Sequence, residues 1–544
     1  MTKNVVAKQW DWDNDDQGTG GTFNSWQLDG LPPSSNIWSY IGIPYIAEGN
    51  LITTGFTYDP TDDTTLSHPA LPSPWTSEVS GFYYIDNNTG TSNPTWGDPT
   101  APLDQIPRNI AAGSVVVMAP GSYDVAHESP DSITFAGTAS DPCWFIAENP
   151  ASPPIFRRKC EILGTHTIIE DIDAASTAPA TDTASMGISI QNANHITVRR
   201  CDWAGNISDG SWSISGSDHI YIYDNDIHDL GDLDPPSDID EHGINIITSD
   251  DIWIINNRIH HVGGDSVQIG GQDSAGPTDT NRVYLAGNTC YDNRQTAIWI
   301  KEATDVIVST NLAYNMNNGV FAEALCFGCQ YDHSNVWFIN NTCRDSKGGI
   351  KFQSGSGTQY VIGNLIYDLA GPDTFSVSNP HHAHAITSRG GDTYVINNTI
   401  QNCHAGISCI DTKVMTTENN LIGTPTTANA SQIFFEDTTN KSSDNNYYRG
   451  TANIRFDSTT PDTLANFQIA GFDGNAQNNS DPLFTNEASD DFTLASGSVC
   501  VDAGKVADVY ATFLSRYGDS IAEDIAGTSR PVSSWDIGTY ERVA

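Results

Sequence analysis

The stretch Gly243-Ile-Asn-Ile-Ile-Thr-Ser-Asp-Asp-Ile-Trp-Ile-Ile-Asn-Asn-Arg-Ile259 holds the pattern from which the fold is read. A small residue opens a short alternating apolar run, a second β-rich run follows, and Asn257 with Ile259 two residues on closes the unit. The opening returns at Gly187-Ile-Ser-Ile190, Ser211-Trp-Ser-Ile214, Ser266-Val-Gln-Ile269, Ala297-Ile-Trp-Ile300, Gly319-Val-Phe-Ala322, Gly349-Ile-Lys-Phe352, His384-Ala-Ile-Thr387 and Gly406-Ile-Ser-Cys409. Successive starts lie between 22 and 35 residues apart. A fixed minimum with variable excess is what one solenoid turn plus a surface loop produces.

The closing Asn recurs as Asn225, Asn257, Asn288, Asn311, Asn341, Asn364, Asn398 and Asn420. Asn tolerates the left-handed backbone of a sharp turn, and stacked amides can hydrogen-bond along an axis. Two residues later stands a column expected to face inward: Ile227, Ile259, Cys290, Ala313, Cys343, Ile366, Ile400 and Ile422. Asn, Gly and β-branched residues fill positions where a helix wants Ala, Leu and Glu. The expected architecture is all-β, a parallel β-helix. Cys290 and Cys343 stand in Ile positions and read as buried structural thiols. Cys326-Phe-Gly-Cys329 leaves zinc, a loop disulfide and free thiols open, with no second Cys pair at metal-finger spacing.

Composition narrows the partners. The 544 residues carry 24 Lys and Arg against 67 Asp and Glu, a formal charge of −43. Such a surface repels nucleic acid and anionic membranes. No stretch has the roughly 20 apolar residues of a membrane-spanning helix, and residues 1–30 have no apolar core of a secretory signal.

Tyr83-Tyr-Ile-Asp-Asn-Asn-Thr-Gly90, Gly113-Ser-Val-Val-Val-Met-Ala-Pro-Gly-Ser-Tyr123, Asp481-Pro-Leu-Phe484, Asp491-Phe-Thr-Leu494, Val501-Asp-Ala-Gly504 and Trp535-Asp-Ile-Gly-Thr-Tyr-Glu541 frame the repeats. With them the chain resembles the right-handed parallel β-helix proteins of the pectate-lyase-like superfamily over about residues 81–544. The resemblance implies a solenoid over 81–498 and a closing segment over 499–544. That superfamily holds lyases, hydrolases, epimerases, adhesins and phage tailspikes, so function rests on the site. Residues 1–80 do not repeat and read as a cap or attachment module.

Stacked coils about 4.8 Å apart turn repeats into a site map. The third position of each opening reads Ser189, Ser213, Asn245, Gln268, Trp299, Phe321 and Lys351, and two residues later stand Gln191, Ser215, Ile247, Gly270, Lys301, Glu323 and Gln353. Two aromatics, two Lys and one Glu on one outer face suit a sugar chain. A surface ion pair between Lys301 and Glu323 is the plain alternative, contributing at most about 1 kcal/mol. For a uronate lyase, Lys351 is the candidate base with Arg389 and Lys301 as charge stabilisers. For a glycosidase, Glu302 with Glu323, or Glu241 with Asp265, is the candidate carboxyl pair. Five acids in Gly231–Glu241, among them Asp238, Asp240 and Glu241, read as a solvated loop or a calcium site. His381, His382 and His384 read as polar surface, metal ligands or acid and base.

These readings point to a carbohydrate-directed protein, most like a phage tailspike that binds and cleaves a surface polysaccharide, in a virion tail or outside the cell. The alternatives are a secreted polysaccharide lyase or glycoside hydrolase, and a noncatalytic adhesin or filament protein. The resemblance implies a homotrimer, and the N-terminal module implies attachment to a larger particle.

Overall fold

The computed structural model describes residues 68–123, 132–157, 160–175, 188–205, 212–233, 240–270, 280–316, 324–355, 357–371, 384–410, 413–427, 430–456, 462–479, 481–517 and 520–542. Within them each full coil has three short strands, for example Ile244–Ile247, Asp250–Ile255 and Arg258–Val262. The next coil repeats them as Val267–Ile269, Asn281–Ala286 and Thr289–Tyr291, in parallel register Ile244↔Val267, Asp250↔Asn281 and Arg258↔Thr289. First and second strands share one 26-stranded sheet, because the long strands Cys160–Glu170 and Ile188–Arg199 run through both positions. Third strands form a 14-stranded sheet.

Alternation explains why these segments stack. Ile227, Ile259, Cys290, Ala313, Cys343, Ile366 and Ile422 are fully buried and Ile400 is nearly so, forming the inward column expected from sequence. The ladder beside it is continuous. Asn225 Nδ2 donates to Asn257 Oδ1, and the step repeats through Asn288, Asn311, Asn341, Asn364, Asn398, Asn420 and Asn446 at 2.9–3.0 Å. It ends on Asp473, which accepts from Asn446 Nδ2 at 3.1 Å. Each bond contributes about 1 kcal/mol, and each lost partner would strand a buried amide.

One detail of the turn differs from expectation. The left-handed residue is the one before the ladder Asn: Asp224, Asn256, Asn340, Asn397, Asn419 and Asn445 have φ between 53° and 57°. The ladder Asn itself stays out of that region, which aims its side chain inward along the axis. The left-handed Asn points outward and holds the C-terminal segment. Asn340, Asn397, Asn419 and Asn445 donate to the carbonyls of Asp524, Asp536, Lys505 and Ala503 at 2.7–3.3 Å.

The C-terminal segment thus lies along the side of the solenoid. Its helix Asp508–Tyr517 buries Val509, Tyr510, Phe513 and Tyr517 against the second strands, with Phe513 edge-on to Trp337 at 4.8 Å. Arg516 Nη2 reaches Asp305 Oδ1 at 2.5 Å. A different element seals the end of the solenoid: the short helix Leu464–Ile469, whose Phe467 packs on Phe435, Phe456 and Phe472.

Two repeat assignments shift. Trp299 is followed in register by Gly328, from the strand Leu325–Cys329, so Phe321 does not supply that position. The Gly319–Ala322 run, with Phe321 and Glu323, lies outside the described residues. Thr387 stands opposite Lys351, which moves the motif at His384 by one residue.

Candidate functional site

The third-position column of the first sheet runs in register through Asn245, Gln268, Trp299, Gly328, Lys351, Thr387, Ser408 and Phe434. Trp299 and Lys351 therefore share one face, two coils or about 10 Å apart. Gly328 lies between them for a steric reason. A Cβ on Gly328 would stand 2.2 Å from Trp299 Cζ3 and 2.7 Å from the Lys351 carbonyl oxygen. The indole lies over bare backbone. Gln268 Nε2 donates to Asn245 Oδ1 at 3.3 Å, linking the two amides on the N-terminal side of the indole.

The face is more enclosed than the sequence suggested. Trp299 is 8% exposed, Gln268 6% and Lys351 2%. Lys301 and Gln353, at the strand ends, are half-buried, and Arg389 is exposed. Their amides donate to Ile269, Cys329 and Phe352 carbonyls at 2.8–2.9 Å, which keeps the three in one column. His384 is buried and its ring lies 6.2 Å from Phe434. Glu302 stands apart: it is 5% exposed and its backbone packs against Gly270, so the carboxyl is not on an open groove. His381 and His382 lie outside the described residues.

The heads of the first strands hold a second group, of which sequence reading named Glu241 and Asp265 but not His242 or Arg294. Asp265 is 2% exposed, its Oδ1 accepts from Thr296 N at 3.0 Å, and its own N–H donates to His242 Nδ1 at 3.0 Å. That donation places the imidazole proton on Nε2. Burial, opposed by the Thr296 amide and Lys301, pushes the Asp265 carboxyl up to about 7. Burial, with Lys301 and Arg294 nearby, pushes His242 down to about 3. A sequence signal existed in the Glu-His and Asp-Ser pairs that precede successive strands.

The acidic turn has a partner inside the protein. Arg294, whose side chain is fully buried, donates to Asp240 Oδ1 at 2.7 Å and to the Gly263 carbonyl at 2.5 Å. Glu241 is buried, its Oε2 close against Gly231. Asp238 lies outside the described residues. Among the described residues no three His, Cys, Asp or Glu stand close enough to hold a metal ion. Cys326 and Cys329 are both free and buried on one strand. Three residues of extended chain separate their Cα atoms by about 10 Å, beyond the 7 Å limit for a disulfide, so they cannot pair with each other.

A family model described as the right handed beta helix region matches residues 186–366. With the parallel stacking described above, this gives the chain a right-handed parallel β-helix fold. Among solved structures it is similar to a mannuronic acid specific polysaccharide family 6 lyase from human gut microbiota, at 15% identity and TM-score 0.42, covering 70% of this chain and 89% of that one. A PL6 alginate lyase complexed with a trisaccharide aligns at 12% identity and TM-score 0.46, covering 71% and 92%. PfbA, a surface adhesin of Streptococcus pneumoniae, aligns at 11% identity and TM-score 0.40, covering 63% and 82%. At these levels the neighbours carry no argument about activity. No curated protein sequence matches the chain.

Proposed function

We propose that the first-sheet face binds an anionic polysaccharide and that the chain is a carbohydrate-directed β-helix protein, a tailspike-like depolymerase that binds and cleaves a surface glycan. The observation that carries this reading is the indole of Trp299 lying over Gly328 with Lys351 one coil further along the same face. An indole face packs on the apolar face of a pyranose ring, and the cations Lys301 and Arg389 of the same sheet meet a uronate carboxylate, leaving Lys351 as the base. On a chain of charge −43, the cations Lys301, Lys351 and Arg389 of this one sheet form a local exception. The ten buried thiols, none in a disulfide, agree with synthesis in a reducing compartment followed by release.

The chemistry best matched by these groups is β-elimination. Lys351, as the neutral amine, takes the proton next to the carboxylate, the electron pair forms a carbon–carbon double bond, the glycosidic carbon–oxygen bond breaks, and the leaving oxygen takes up the proton from the Lys351 ammonium so formed. Lys301 and Arg389 stabilise the intermediate negative charge.

The test is a panel of anionic and neutral polysaccharides assayed for ultraviolet absorbance of unsaturated products and for new reducing ends. Absorbance with a uronate polymer, lost in Lys351→Ala and weakened in Trp299→Ala, is the expected result. Reducing ends without absorbance would replace elimination by hydrolysis, and tight binding without either product would make the chain an adhesin.

A further inference from the structure

The first-sheet face changes character at the coil of Trp299. From there onward it carries cations: Lys301 in the same coil, Lys351 two coils further and Arg389 three. The two coils before it hold Asn245 with Ile247 and Gln268 with Gly270 at the corresponding positions, and none of the four is charged. Glu241 and Asp265 stand at the heads of those two coils, and Arg294 near them is fully buried and held by Asp240 at 2.7 Å. The N-terminal side of the indole is therefore neutral to acidic, and the C-terminal side is basic.

On the neutral side Gln268 holds an unmet acceptor. Its Nε2 donates to Asn245 Oδ1 at 3.3 Å, in the preceding coil, whereas its buried Oε1 accepts from no described residue. Gln359 and Gln432, equally buried, use both ends of the amide: Gln359 meets His333 and Thr393, and Gln432 accepts from Asn453 N and donates to the Ile422 carbonyl. A buried carbonyl oxygen without a donor is unfavourable. One coil from an aromatic platform, the donor that suits it is a hydroxyl of a sugar unit. A carboxylate cannot serve, because it only accepts, and here its charge would also meet Glu241 and Asp265.

We infer that the face takes a mixed polymer, in which an uncharged sugar unit gives a hydroxyl to Gln268 Oε1 on one side of the indole while a uronate unit lies toward Lys351 on the other. The inference rests on the reading of this face as a glycan site and adds which class of glycan it selects. Gln268 is the specificity-determining residue, since a buried group built to pair with a hydroxyl penalises any chain that presents a carboxylate there. A polymer of uronate alone places a carboxylate at that position whatever its register.

The test is retention of the full chain on immobilised hyaluronan, chondroitin and gellan, which set uronate units among uncharged sugars, against alginate and polygalacturonate, in which every unit is a uronate. At least one mixed polymer is expected to hold the native protein tenfold more tightly than either homopolymer, and Gln268→Leu is expected to abolish that margin by weakening the mixed polymer alone. A homopolymer held as tightly as the best mixed one, or a margin unchanged in Gln268→Leu, overturns the inference and leaves the uronate reading of the face in place. Retention on none of the five overturns both. Because Gln268→Leu can loosen its coil, Gln268→Lys is the second variant. It is expected to raise retention on the homopolymers at least fivefold, a gain that misfolding cannot produce, and no gain overturns the inference.

Discussion

Two columns of side chains run along the solenoid, and they obey opposite rules. The interior amide ladder keeps one residue type through nine coils, Asn225 to Asn446, because each amide meets an identical neighbour before and after it. The outward column of the first sheet changes at almost every coil, from Gln268 to Trp299, Gly328 and Lys351. Apart from Gly328, which leaves room for the Trp299 indole, nothing in the stacking asks for that sequence of residues. Repetition records what the fold needs, and departure from repetition on an outward face records what the surface does.

The comparison can be broken first at the ladder. Asn341 donates to Val308 O and Asn364 Oδ1 at 2.9 Å and accepts from the Asn311 amide and side chain at 2.9 and 3.0 Å. Asn341→Leu strands these buried groups and is expected to cost about 4 kcal/mol, the sum of several unsatisfied partners. Chemical denaturation measures it. Lys351→Met, on the outward column, is expected to lower the unfolding midpoint less than Asn341→Leu does, while glycan binding falls at least tenfold.

The coil heads give the next effect, through pH. Asp265 has its folded pKa raised to about 7 by burial. Its favourable contribution, the neutral carboxyl, is complete below the unfolded carboxylate range and is lost as pH rises through about 7. Asp265→Asn keeps an acceptor for the Thr296 amide and removes the charge. It is expected to raise stability by about 2 kcal/mol at pH 8 and to leave it unchanged near pH 3. Melting curves at the two pH values check the sign, and a loss of stability at pH 8 would contradict it.

Gly328 sharpens the outward column itself. Gly328→Ala puts a methyl into the indole of Trp299 and is expected to cost about 1–2 kcal/mol through overpacking, with a change in tryptophan emission. If the indole is the sugar platform, glycan affinity falls with it. Unaltered affinity in a variant with altered emission would separate Trp299 from binding.

What the sequence disclosed follows the same division. The ladder and its inward companions were legible because Asn and Ile return with a fixed offset of two. The strand Leu325–Cys329 was missed although Phe327 and Cys329 keep the inward positions of Ile298 and Ile300: its outward position is the bare Gly328, and the nearby Gly319-Val-Phe-Ala322 matched the opening pattern more closely. The repeat pattern also disclosed that Trp299, Lys351, Lys301 and Arg389 stand on one sheet. The enclosure of that face was not legible, because burial of an outward face depends on what packs over it. The pairing of Asp240 with Arg294 was hidden by a separation of 54 residues. The C-terminal segment was legible as a closing motif. Its docking on the left-handed Asn340, Asn397, Asn419 and Asn445 was not, because the Asn-Asn dipeptide does not reveal which amide faces inward.

The end of the ladder shows how far this logic extends. Every internal Asn both accepts from the coil before and donates to the coil after, whereas the last member has no following coil to receive a donor. Asp473 fits that position. It is fully buried and accepts from Asn446 N at 3.2 Å, Asn446 Nδ2 at 3.1 Å, Ser443 Oγ at 2.8 Å and the Tyr448 hydroxyl. Burial raises its pKa, while the hydrogen bonds from Tyr448, Ser443 and Asn446 oppose the shift by favouring the ionised form. Asp473→Asn introduces donors where only acceptance is wanted. Ser443 and Tyr448 can rotate their hydroxyls to receive them, so the expected cost is about 1 kcal/mol, well below that of Asn341→Leu. An equal cost at both positions would mean that the ladder has no direction, and that its last residue is held by packing alone.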